Sequence, residues 1–180
     1  MTPHYSKFPE PQQDTDITSF ELITLDELES PIVRRGANYW HALRGSRRYP
    51  ARKDIRPRDI APILREMILI KVIDGGSDFE FRIAGDAQVR AHAIPFQGRR
   101  LNQLMQIAPA FCLSLHSIFI HVTLSGEPAA VRGRMGADFP NAKYAYCESM
   151  FLPLGASDDA VDHLMMFSTY VARTFVSGEN

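Results

Sequence analysis

The chain has 180 residues, 45% hydrophobic and 23% charged, with a formal net charge of −1. That is one globular domain's worth of sequence, able to close its own core without disulfide or metal staples. No apolar run nears the roughly 20 residues of a membrane span, and the first residues lack the charged-then-apolar order of a signal peptide. Two widely separated cysteines, Cys112 and Cys147, make neither a disulfide framework nor a zinc ribbon. A cytoplasmic single domain is the expectation that remains.

The near-neutral total hides a segregation of charge. Residues 1–30 hold one Lys and seven acids, residues 31–71 eleven Arg or Lys against three acids, and residues 72–180 eight against eleven. A basic segment of that density attracts phosphates, RNA or an acidic partner. The plainer reading makes Arg34, Arg35, Arg44, Arg47 and Arg48 the solvated face of a helix and its exit. A neutral whole argues against a dedicated nucleic-acid binder.

Residues 1–16 are polar, proline-bearing and aperiodic, and read as an arm. Ile17–Leu28 carries scattered apolar residues that suit a short strand or helix. Ser30-Pro31 is an N-cap followed by proline in the first turn. From there Ile32, Gly36, Tyr39, Trp40 and Leu43 recur at helical spacing until Gly45. A basic turn, Arg44–Asp54, leads to a second short helix from Pro57 to about Arg65. The period then changes. Met67–Ile73 is a nearly continuous apolar run, Asp74–Ser77 a turn, and Phe79, Phe81 and Ile83 alternate with polar residues, which predicts a β-hairpin. Asp86 to about Gln106 reads as short helical pieces.

Pro109–Ser125 is the longest helix candidate, stopped by Gly126. Phe111, Leu115, Ile118, Phe119 and Val122 form its main apolar stripe, and Leu113, Ile120 and Leu124 a second one on the far side. A helix apolar on two sides needs covering on both. Three strand candidates close the chain: Pro128–Met135, Tyr144–Leu154 and His163–Val171, with turns at Gly136–Asn141 and Gly155–Asp159. This order predicts an α+β domain: a five-stranded antiparallel sheet with a helical connection on one face, plus N-terminal helices. The divisions are residues 1–29 (arm and short element), 30–66 (N-terminal helices), 67–172 (sheet core) and 173–180 (tail).

This order matches the PAS fold. Several stretches resemble, more specifically, the PAS family abundant in alphaproteobacteria and once catalogued as a domain of unknown function. They are Tyr39-Trp40; Arg48-Tyr49-Pro50-Ala51-Arg52; Asp54-Ile55-Arg56-Pro57; Asp78-Phe79 through Gly85; Gly98-Arg99; Ser125-Gly126-Glu127-Pro128; and Leu152-Pro153-Leu154. The resemblance covers about residues 30–172. It implies a sensory or regulatory protein in bacterial signal transduction that reads a small ligand or a partner. Fewer than ten residues follow the last strand, so the expected output is association with a separate signalling protein or with itself, with no nucleic acid and no membrane involved.

Candidate site residues follow from that frame. Phe79, Phe81, Ile83, Phe111, Leu115, Phe119, Met150, Leu152 and Met166 are expected to line or fill the cavity, which would take a small apolar or anionic ligand. Ile32, Tyr39, Trp40 and Leu43 are the expected dimer or partner surface. No cofactor is required. Haem-binding PAS sensors ligate iron from the region of the long helix, and His116 is the candidate for that alternative, against a plain core histidine. A photoactive flavin is not expected, because Gly85–Ile94 lacks the reactive cysteine. Arg82 is either a surface partner of Glu80 or an anion clamp, and Cys147 an inert strand thiol. Arg44 and Arg48 have the spacing of some cyclic-dinucleotide receptors, without the second motif such receptors need. No metal site, nucleophile elbow, phosphate loop or metalloprotease motif occurs. A small enzyme would have to use a dyad such as His163 with Asp162 or His92 with Asp86.

Overall fold

The computed structural model describes residues 18–92, 94–135 and 143–172. The expected arm 1–16, the turn Gly136–Asn141 and the tail 173–180 lie outside the described residues. Six strands form one wholly antiparallel sheet: β1 (Ser19–Ile23), β2 (Met67–Ile73), β3 (Asp78–Ala84), β4 (Ala129–Arg134), β5 (Tyr144–Leu154) and β6 (His163–Ala172), in the order β1-β4-β5-β6-β2-β3. Four helices accompany them: α1 (Pro31–Arg44), α2 (Asp86–His92), α3 (Leu101–Leu104) and α4 (Pro109–Ser125). The five strands from β2 to β6 are those expected from the sequence. The sixth, β1, adds to the β4 edge, and a 3-10 turn at Leu25–Glu27 follows it.

The long helices begin and end where their termini are chemically satisfied. The Ser30 side chain accepts the Val33 N–H at 3.3 Å, Pro31 occupies the first turn, and Gly45 closes α1 at φ 58°. α4 starts on Pro109 and stops at Gly126, whose left-handed φ of 67° lets its N–H reach Val122 O.

Register decides which side chains face which layer, because residues paired across antiparallel strands share a face. Phe151 pairs with Met166 and Ile70 with Leu164 on the inner face, beneath α4. Met150 pairs with Phe167 and Leu152 with Met165 on the outer face. That outer face is covered by α1: Gly36 packs against the Phe167 ring, and Trp40 Nε1 donates to Pro153 O at 2.7 Å. The sheet is thus sandwiched between α1 and the α2–α4 connection.

Two expectations are corrected here. Met150 and Leu152 belong to the layer under α1 and not to the inner cavity. Ile83 also leaves the interior: a register shift makes Leu69 oppose Ile83 while Ile70 opposes Phe81, so Arg82 is the extra residue of a bulge. Ile83 therefore faces the side opposite to Phe79 and Phe81 and is 40% exposed.

Candidate functional site

The inner face is filled rather than hollow. Phe79, Phe81 and Phe119 are fully buried, with Phe119 ring-packed on Phe79 at 5.1 Å and on Phe151 at 5.8 Å. Phe111, Leu115 and Met166 border a small space beneath α4. It measures about 20 Å³ and is shared with Ser149, Tyr144 and Cys147. That is room for about one water, far below the ~300 Å³ at which small-molecule sites begin.

A buried polar chain stands at the end of this space. His92 is 4% exposed, and its ring packs on Phe111, Phe96, Tyr144 and Tyr170. Burial among these rings holds its pKa down to about 3, so the imidazole is neutral. Tyr170 donates its hydroxyl proton to Gln88 Oε1. Its oxygen is then left to accept from His92 Nε2–H at 3.1 Å, while Nδ1 accepts from the Tyr144 hydroxyl at 3.3 Å. Gln88 in turn donates to Glu66 O at 2.6 Å. One hydrogen-bond chain thus pins α2 to β5, β6 and the approach to β2. Beside it Ser168 donates to Ser149 at 2.7 Å, and burial pushes the Cys147 thiol up to about 12, which makes it inert.

Sequence reasoning placed none of Gln88, Tyr144, Ser149 and Tyr170 in a site, and paired His92 with the wrong residue. Asp86 is exposed and bonded to Arg90, so no His92–Asp86 dyad exists. Gln88 and His92, four apart in α2, share a helical face, and Leu164, Met166, Ser168 and Tyr170 alternate onto one face of β6. Those spacings were the available signal.

His163 and Asp162 do meet, at 2.7 Å, but the second Asp162 oxygen accepts the Ala156 N–H and braces the loop before β6. His116 is half-buried, edge-on to the Phe79 ring at 6.0 Å. The space beneath α4 does not fit a porphyrin. Arg82 pairs with Glu80 at 2.6 Å on the surface. Trp40 is 1% exposed, spent on the chain's own sheet and therefore no partner contact, and Ile32, Tyr39 and Leu43 beside it are half-buried.

Three features remain open at the surface. The outward face of α4 shows Leu113, Ser117 and Leu124, with Leu113 57% and Leu124 74% exposed, and the whole helix carries no Asp, Glu, Lys or Arg. A cleft of about 800 Å³ opens beside the far end of β6, edged by Tyr170, Thr169, Arg65, Arg90 and Lys143. A groove of about 940 Å³ lies on the outer face at the β2–β3 edge. Among the described residues no cluster of His, Cys, Asp and Glu has the make-up of a metal site, and no helix is long and apolar enough to cross a membrane.

The β3-β2-β6-β5-β4 sheet, wrapped on its inner face by short helices and one long one, has the α+β layout of a PAS-like domain. A PAS domain family model matches residues 28–167, and the chain belongs to the PAS domain family. The match takes in α1 and begins after β1. Comparison with curated proteins and with solved structures gives no match.

Proposed function

We propose that the chain is a regulatory PAS module of a signal-transduction pathway, acting through protein–protein contacts, with a second copy of itself as one partner. The observation that carries this reading is the contrast between a filled interior and the uncovered α4 ridge. Large apolar side chains displayed together mark contact surfaces. A ridge without charge meets its own copy across a two-fold axis with no like-charge repulsion. The reading sets the protein in the cytoplasm, in keeping with two cysteines that are both buried and unpaired.

Light scattering across a concentration series tests it. The wild type should have twice the chain's mass at high micromolar concentration, and the Leu113→Glu/Leu124→Glu variant should be monomeric with unchanged circular dichroism. A wild-type monomer at that concentration overturns the self-association.

The cleft beside Tyr170 supports a second element: tuning by a small anionic ligand. Its size falls within the range of small-molecule sites, and Lys143 supplies positive charge at its rim beside Arg65 and Arg90, which pair with Glu66 and Asp86. A ligand seated there would touch β6 and α2, the two elements that the Tyr170–Gln88 bond joins.

A further inference from the structure

Among the cations of the basic segment 31–71, Arg65 alone borders the cleft described above, and the fold gives the segment's second half a definite shape. Residues 51–65 run over the outer face of the sheet beside α1 and leave the groove at the β2–β3 edge open. Its floor is aliphatic: Met67, Leu69, Leu64, Ile55 and Ile83, the last turned to this side by the Arg82 bulge. Its rim is cationic. Arg52, Lys53 and Arg65 line it, and Arg56 and Arg58 stand exposed in the same loop. Arg65 is held by Glu66 and Asp86, at 3.4 Å and 3.7 Å. Among the described residues no ion pair forms at Arg52, Lys53, Arg56 or Arg58. Of the nearby acids, Asp54 is taken by Arg47 at 2.7 Å, while Asp162 in the groove lining, hydrogen-bonded to His163, and the exposed Asp59 remain as counter-charges beside these four cations.

We infer that this groove docks an acidic amphipathic segment of a partner protein, its aliphatic side chains on the floor and its carboxylates toward Arg52, Lys53, Arg56 and Arg58. The unspent positive charge selects an anionic occupant. The floor selects aliphatic groups over nucleobases, because no aromatic side chain lines it to serve as a stacking platform. The inference rests on the reading that the chain works through protein contacts, but it uses the face of the sheet opposite to α4.

The test titrates the 15N-labelled full chain with two amphipathic helical peptides of equal length and leucine spacing, one with glutamate and one with lysine at every polar position. The glutamate peptide should shift the amides of residues 52–69 and of Ile83. Its affinity should fall about tenfold in the Arg52→Glu/Lys53→Glu variant and fall again with added salt. The lysine peptide should leave those amides unmoved. No response at millimolar glutamate peptide, an equal response to both peptides, or tighter binding of oligo-dT to the same residues overturns the assignment. A silent groove in a chain that still dimerises through α4 removes the groove alone and leaves the proposed function standing.

Discussion

Gly36 lies flat on the ring of Phe167: a methyl group built on its Cα would stand 2.4 Å from Cδ2 of that ring. The contact draws the α1 backbone down onto β6 and lets Val33, Ala37 and Trp40 reach the sheet, where all three are buried. The outer face of β5–β6 beneath α1 is therefore closed by the chain itself, while the β2–β3 edge of that face stays open.

Replacing Gly36 by alanine sets two effects against each other. Alanine gains up to ~1 kcal/mol of intrinsic helix propensity, while the ring or the helix must move, at about 1–3 kcal/mol for overpacking. The second should win, so Gly36→Ala lowers stability in urea denaturation. A stabilised variant would mean that α1 does not sit on Phe167 as described.

His92 sets a pH dependence with a defined sign. Its folded pKa is depressed to about 3 by burial, against about 6.5 unfolded. Below pH 6.5 the unfolded chain takes up a proton that the native state refuses. Stability from this group is complete above 6.5 and declines toward pH 3, with a limiting slope of about 1.4 kcal/mol per pH unit. Glu66, raised by its own burial, acts in the opposite direction. Urea midpoints at pH 7 and pH 5 should converge in His92→Gln relative to wild type. An unchanged pH difference in the variant would show that His92 is not the group responsible.

Glu148 is the buried acid on which the entry to α1 rests. Its carboxylate accepts the N–H of Ser30 at 2.8 Å and of Glu29 at 3.0 Å, and lies 3.5 Å from the Arg132 guanidinium. Glu148→Ala would remove the acceptor of the buried Ser30 N–H and the part-buried Glu29 N–H, and one of the carboxylates beside Arg132, which keeps Glu27 O and Glu29, a loss of about 1–3 kcal/mol. Glu148→Gln keeps one oxygen and should lose less. Equal, small effects for both in thermal melts would contradict this role.

How far the residues announced this structure depended on how strongly each element's pattern was enforced by burial. β2, α1 and α4 have the bounds their periodicity and caps predicted, because apolar stripes and a terminal Gly or Pro leave little latitude. β1 was ambiguous: most of its side chains are exposed, so no alternation betrays it, and it is held by its ladder to β4. Ile83 was misplaced because a bulge reverses every side chain beyond it, and nothing in Phe79–Ile83 marks the extra residue. Trp40 was given an outside partner because a stripe shows that it needs covering without showing by what. The His92 chain escaped because each member's neighbours lie far along the sequence.

Haem gives a direct check on the interior. The purified protein should be colourless, and added haemin should produce no Soret band that His116→Ala abolishes. A His116-dependent band would mean that the space under α4 opens far beyond about 20 Å³.

Native mass spectrometry of protein purified from its own host, set against the denatured mass, tests most directly whether this PAS domain works from its surface. The account predicts a native mass of two chains that reverts to one in Leu113→Glu/Leu124→Glu, with any retained small molecule lost in a Tyr170 or Lys143 variant. A single chain carrying a tightly held cofactor that those substitutions do not release would contradict it.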